Sequence, residues 1–330
     1  MTQRPKRRLT ALAAALATLG MAQLPSLAEA DSVTATGTDM VVTLLGTGTP
    51  APVLTRFGYS TLVSAGGHLL LFDIGRGATQ RLWQVGLLPG DVDEVFVTHY
   101  HSDHVIGLPD LWLTSWLVPY GANSEPFRIT GPTGLSKLTE GLTMAYGDDI
   151  RIRVADQNLP AAGVAFDLNE FSEDGVVFDK NGVTVTAFTV NHGEKIKPAV
   201  GYRIDYAGHS VVLSGDTRKD NAVIDAATGA DLLVHQVAMA AQAIADRPPI
   251  KAIMGHHTLP NEAGEVFASA EPGLAVFSHF VLLGPPGAAP TASDVLALTR
   301  TTYDGPLEIG EDLMTITIGD EIRVGTADTR

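Results

Sequence analysis

Cysteine is absent from the 330-residue chain. Disulfides and thiolate metal sites are therefore excluded, and any bound metal must sit on nitrogen and oxygen ligands. Basic residues are scarce: 22 Lys and Arg stand against 37 Asp and Glu, for a formal charge of −15. Such a surface repels polyanions and lacks the basic footprint of a nucleic-acid binder, so no nucleic-acid partner is expected. Long apolar runs are missing after the first thirty residues, which leaves no candidate for a stable membrane span. No repeat of solenoid size is visible. What is present, 45% hydrophobic and 18% charged residues, is the balance of a folded globular protein.

The first thirty residues have a layout of their own. Arg4, Lys6, Arg7 and Arg8 form a basic start, residues 9–24 are uncharged and rich in Ala and Leu, and Ala28-Glu29-Ala30 is a small-x-small cleavage site. That is the pattern of a secretory signal peptide cut near Ala30, and it implies a periplasmic or secreted protein. The leader carries four basic residues and one acid, so its loss takes the formal charge from −15 to −18. Residues 31–330 show no internal boundary and are expected to form one domain.

Alternation and apolar runs place strands at 40–45, 61–63, 68–72, 95–98, 183–190, 202–205, 210–213, 231–234 and 275–277. Helical patterns fall at 78–85, 108–117, 132–144 and 261–268, while 150–180 is acidic and reads as an irregular surface insertion with short strands. Hairpins mixed with crossover helices give an α+β class, as a four-layer αβ/βα sandwich with two mixed sheets face to face.

Thr98-His-Tyr-His-Ser-Asp-His104 is the most informative stretch. Three imidazoles and a carboxylate follow a buried strand and precede a helix, and such a turn can aim several metal-binding groups at one point. Packing does not require them there. Three further residues follow predicted strands: His192 after Val190, Asp216 after Ser214 and His279 after Phe277. A lone histidine at a strand end is most often a hydrogen-bonded loop residue. Three such sites downstream of a four-ligand cluster argue for a shared metal centre.

The chain resembles the metallo-β-lactamase superfamily, in the branch holding tRNase Z and the zinc-dependent arylsulfatases. The resemblance rests on residues 44–49, 72–77, the His99 cluster, Asn191-His-Gly193, Ser214-Gly-Asp216, His256-His-Thr258 and Ser278-His279. It implies two divalent metal ions, zinc first. His99, His101 and His192 would hold one, Asp103, His104 and His279 the other, and Asp216 would bridge them. Asp73 would orient a ligand histidine through its other ring nitrogen. Two such ions can activate one bridging hydroxide and clamp an in-line displacement.

The chain also departs from tRNase Z. Gln236 stands where those enzymes carry a Glu thought to pair with the histidine at His256, and Arg76 stands where they carry another Glu. No basic Gly/Pro-rich arm is present. The versions of Gly107-Leu-Pro-Asp-Leu-Trp-Leu-Thr114 and His256-His-Thr-Leu-Pro-Asn-Glu-Ala263 look closer to the arylsulfatase-like enzymes. His256 or His257 would stabilise an oxyanion or protonate the leaving group, His256 being preferred by position, and Asp103 would assist proton handling. Trp112 and Trp116, four apart on a helix, offer core packing first and an aromatic substrate wall second. Trp83 and Tyr120 are expected in the core.

The expected activity is hydrolysis of a small anionic ester, an aryl sulfate or a phosphodiester. Alternatives are a lactonase or β-lactamase on the same metals, a tRNase Z-type endoribonuclease and a non-catalytic metal binder. A homodimer is the assembly to test.

Overall fold

Alternate residues of the central strands face two different cores, and this builds four layers from the sequence. The structure is a computed structural model describing residues 32–330. The leader at 1–30 lies outside the described residues. In β1 (Met40–Gly46) every residue is buried; Met40, Val42 and Leu44 enter a core between two sheets, while Leu45 enters a second core under helices. The same split recurs wherever an apolar run lies between a partner sheet and a helix layer.

The first sheet adds β2 (Ser60–Ala65), β3 (His68–Phe72), β4 (Glu94–Phe96), β5 (Phe127–Pro132) and β6 (Phe166–Phe171). The second holds β7 (Gly175–Lys180), β8 (Val183–Thr189), β9 (Val200–Tyr206), β10 (His209–Leu213), β11 (Leu232–Ala240), β12 (Leu274–Leu283) and β13 (Leu307–Ile309). Then β14 (Met314–Ile318) and β15 (Ile322–Thr326) return to the first sheet. The orders are β15-β14-β1-β2-β3-β4-β5-β6 and β13-β12-β11-β10-β9-β8-β7. In the second sheet Val211 and Leu213 face the shared core, while Val212 faces a third core beneath outer helices. The α+β sandwich expected from the sequence is the observed architecture.

Helices α1 (Ala78–Gln84), α2 (Ser102–Val105), α3 (Leu108–Trp116), α4 (Leu135–Ala145) and α5 (Gly147–Gln157) accompany the first sheet. Around the second run α6 (Asn221–Ala227), α7 (Gln242–Ala245), α8 (Pro248–Met254), α9 (Pro260–Ala270) and α10 (Ala292–Thr299). Two expectations need correction, and a third is resolved in favour of the core packing expected first. The start of the 150–180 insertion is helical: α5 has no buried residue, so no apolar stripe announced it. Trp83 and Tyr120 are 44% and 38% exposed and meet edge to face at the surface. Trp112 and Trp116 are both fully buried on α3, their indole N–H groups donating to the carbonyls of Val164 and Pro160, so neither forms a substrate wall. Trp112→Ala is expected to destabilise the fold by about 3–5 kcal/mol. A denaturant titration checks this, and substrate preference should not move.

The topology also fixes where chemistry can sit. Pairs β3–β4 and β4–β5 in one sheet, and β10–β11 and β11–β12 in the other, are parallel. In sheets of this kind ligands bind outside the carboxyl ends of the strands. Asp73, His99 and Asp216 lie just beyond such ends, and His279 sits at a bulge inside β12.

Candidate metal centre and cleft

Local backbone devices aim the side chains. The turn carrying Asp103 and His104 is pinned to the end of β3: Ile74 N–H donates to the His104 carbonyl at 2.7 Å and Gly107 N–H to the Ile74 carbonyl at 2.9 Å. Asp216 follows Gly215, whose φ of +60° is left-handed and whose Cβ would lie 2.5 Å from the Val200 carbonyl oxygen, so only glycine fits. His279 sits at a register shift between β11 and β12 with φ +45°, a bulge that turns its ring out of the ladder.

Two ligand sets form. His99 Nε2 is 2.9 Å from His101 Nδ1, which is 3.3 Å from His192 Nε2, and Asp216 Oδ2 lies 4.0 and 3.6 Å from the His99 and His192 nitrogens. Ligand atoms around a tetrahedral ion at ordinary Zn–N distance are separated by about 3.3 Å, so the spacing suits one ion. In the second set His279 Nε2 is 3.2 Å and His104 Nε2 3.7 Å from Asp103 Oδ2. Asp216 joins the sets, with Oδ2 3.5 Å from His104 Nε2 and Oδ1 3.3 Å from His279 Nδ1. All seven sequence-predicted metal residues thus meet at one place, and Asp216 of the first set also approaches His104 and His279 of the second.

The surrounding hydrogen bonds select the ring tautomers. Asp73 accepts from His104 Nδ1 at 2.7 Å and, through its two oxygens, from Thr98 N–H and Thr98 Oγ1. Since the Thr98 hydroxyl is spent on Asp73, its oxygen accepts from His99 Nδ1 at 3.0 Å. His192 Nδ1 donates to the His256 carbonyl at 2.8 Å. Each of these rings therefore turns an Nε2 lone pair inward. The sequence pointed to Asp73; the relay role of Thr98 had no pattern to reveal it. Asp73→Asn should weaken metal affinity about 10–100-fold, checked by competition with a chromogenic chelator.

Electrostatics agree with a cation at the junction. Burial, then the neighbouring His104, holds His99 well below the usual imidazole range, and burial brings His192 down to about 4. Burial would likewise depress His104, but Asp216 and Asp73 on either side overcome it and hold the ring well above that range. A ring between two buried carboxylates calls for positive charge, as a proton or as a metal ion. His104 Nε2 and Asp216 Oδ1 are both buried with no hydrogen-bond partner among the described residues, a costly state that a coordinated ion removes. The residues present fit a divalent-metal site.

The paired histidines divide their roles in a way the sequence did not indicate. Gln236 Nε2 donates to the Thr217 carbonyl at 2.6 Å, which turns Gln236 Oε1 toward His257 Nδ1 at 2.9 Å. The partner of Gln236 is therefore His257 rather than His256. His257 is buried and brought down to about 3 by burial, against an opposing pull from Asp216. His256 is half-buried and contributes its carbonyl to His192.

A cleft of about 380 Å³ opens over the centre. His101, Asp103 and His257 line its polar side, while Ile253, Val281 and Leu283 line an apolar wall. The loop at 49–51 forms its rim. Asp312 anchors that loop, accepting from Thr47 N–H, Thr47 Oγ1, Phe57 N–H and the Arg81 guanidinium. Asp312 lies 265 residues from Thr47, and no sequence signal links them.

The family model described as Anti-Pycsar protein Apyc1 matches residues 40–246. Ribonuclease Z of Mycobacterium marinum is 36% identical over 274 residues, spanning 82% of this chain and 96% of that protein. The chain belongs to the metallo-β-lactamase superfamily, in the branch that holds ribonuclease Z and Apyc1. Among solved structures, the metallo-β-lactamase fold protein YhfI of Bacillus subtilis matches with a TM-score of 0.66 at 19% identity, over 85% of this chain and all of that one. The short form of human tRNase Z matches with a TM-score of 0.59 at 23% identity, over 84% and 99% of the two chains. Both likenesses are of fold. Membership makes this chain a metal-dependent hydrolase of the metallo-β-lactamase fold. It also sets the ribonuclease relatives against the expectation of no nucleic-acid partner. No helix among the described residues is long and apolar enough to cross a membrane.

Proposed function

We propose that the protein is a binuclear metal-dependent phosphodiesterase, with zinc as the first candidate metal. One observation carries this reading: two nitrogen-and-oxygen ligand sets meet at Asp216, beside a buried histidine whose tautomer Gln236 fixes. His99, His101, His192 and Asp216 would hold one ion, and Asp103, His104, His279 and Asp216 the other. An all-imidazole-and-carboxylate donor set suits zinc. When bound, such a pair of ions lowers the pKa of water and neutralises charge on the reacting ester.

The chain's own groups do the rest. With Nδ1–H committed to Gln236 Oε1, His257 presents an unprotonated Nε2 toward the cleft, where it would take up the proton released by the attacking water and pass it to the departing alkoxide. Ile253, Val281 and Leu283 exclude water and pack against the organic part of the substrate. Asp103, between the second ligand set and the cleft, assists proton handling.

Phosphorus is favoured over sulfur, lactone or β-lactam because the relative at 36% identity is a ribonuclease. That name also supports a second reading, cleavage of an RNA end. The formal charge of −15 and the neutral Gln236 favour a short diester instead. The test is metal-reconstituted protein on bis-nitrophenyl phosphate, nitrophenyl sulfate, a lactone, a β-lactam and a precursor tRNA. Turnover of the diester is expected. Faster cleavage of the tRNA would install the second reading, turnover of only the lactone or β-lactam would sink both, and bound metal without turnover would make the protein a binder. The leader-like residues 1–30 support export; N-terminal sequencing of the cellular protein should begin at Asp31, and a retained Met1 would contradict it.

A further inference from the structure

A small lobe continues the cleft past Asp103. It measures about 90 Å³ and is lined by Thr49, Pro50, Arg76, Ser102, Asp103 and Ile106, four of which also line the main cleft. One benzene ring occupies a cavity of about 150 Å³ and one water takes about 30 Å³, so the lobe has room for a single tetrahedral or carboxylate group but not for a ring. Arg76 brings the only full positive charge to it. The guanidinium spends one donor on the Pro50 carbonyl at 3.2 Å and makes no ion pair among the described residues. An arginine offers five donors, so four remain. In a chain with 37 acidic residues, an arginine without a carboxylate partner at the rim of the reaction cleft is out of keeping with its surroundings. The Asp103 carboxylate facing the same lobe belongs to the second ligand set, so metal binding would neutralise its charge. The hydroxyls of Thr49 and Ser102 add uncharged donors.

Building on the phosphodiesterase reading, we propose that Arg76 and this lobe form a subsite for a second anionic group, so that the preferred substrate is a nucleotide-type phosphodiester carrying a further phosphate beside the scissile one. Arginine is suited to phosphate because its planar fork gives two parallel charge-assisted hydrogen bonds. This residue also marks a departure from the glutamate expected of tRNase Z at this position, a carboxylate that would repel the same group.

The test uses a matched pair of chromogenic substrates with metal-reconstituted protein: a nucleoside 5′-(nitrophenyl phosphate) with and without a 3′-phosphate. The wild type should favour the 3′-phosphorylated ester in KM. Arg76→Ala should raise KM for that ester by about tenfold or more, as expected for loss of a charge-assisted hydrogen bond, with kcat held within about twofold. The ester without the 3′-phosphate should be unaffected. Arg76→Lys should recover part of the preference. If Arg76 only tethers Pro50, both esters will change equally, and that result, or a wild type with no preference, overturns the subsite. A calorimetric comparison of nucleoside 3′,5′-bisphosphate with 5′-monophosphate on metal-loaded protein separates this claim from the phosphodiesterase reading. Tighter bisphosphate binding that Arg76→Ala abolishes supports the subsite even if neither ester is hydrolysed. Equal binding of the two nucleotides rejects it even if both esters are.

Discussion

Asp216→Ala is expected to abolish metal-dependent turnover, by at least about a thousandfold, while leaving the sandwich folded. The size follows from position. Asp216 is the one residue whose oxygens approach both ligand sets, at 3.6 Å from His192 Nε2 and 3.5 Å from His104 Nε2 through Oδ2, and 3.3 Å from His279 Nδ1 through Oδ1. Its removal takes a ligand from each set and leaves the inward lone pairs of His99 and His192 without a carboxylate. Losing an orienting group around a metal costs about 10–100-fold in affinity, and losing a shared ligand should cost more. Metal content by mass spectrometry should fall below the wild-type value while circular dichroism stays unchanged. Full activity in this variant would reject the shared role.

The second large effect concerns His257. His257→Ala should lower kcat by about 10²–10⁴-fold on esters whose leaving alkoxide needs a proton, the range of general-acid catalysis. Nitrophenolate departs without one, so bis-nitrophenyl phosphate should lose much less. His256→Ala should be mild on both, because its structural contribution is a backbone carbonyl that alanine keeps. Gln236→Glu gives the direction of the electrostatics. An amide oxygen orients His257 Nδ1–H but does not stabilise the imidazolium as a carboxylate would. The substitution should therefore raise the His257 pKa from its burial-depressed value of about 3, and raise turnover of poor leaving groups near neutral pH. An equal loss on both kinds of leaving group in His257→Ala would instead assign the residue to structure.

Much of this site was legible because His99, His192 and Asp216 follow apolar strands and Asp103 and His104 cluster with His99 in one short stretch. Runs such as Val95-Phe-Val97 and Ser210-Val-Val-Leu213 announce themselves through burial on both faces, and the polar residue that follows has to serve something. The shared core and the helix-covered cores divide alternate residues of one strand, so the four layers also follow from the pattern. What stayed hidden depends on side-chain direction or on distant partners. Two adjacent histidines differ by one residue, and only the loop after α8 decides which ring meets Gln236. Helix α5 packs only Ile150 and Val154, both partly buried, against the core, so its sequence carries little apolar period. Asp312 and the rim of the cleft meet across 265 residues. Trp112 and Trp116 were correctly placed on a helix, but only the structure shows both indoles turned into the core.

The proposed function requires two ions held by these residues and used to hydrolyse a phosphodiester. The most direct measurement strips the protein with a chelator, restores zinc in steps, and follows metal bound per chain together with turnover of bis-nitrophenyl phosphate. Turnover that disappears on stripping and returns fully only as the second equivalent binds is the predicted result. Undiminished turnover in the stripped protein, or saturation of activity and binding at a single equivalent, would contradict it.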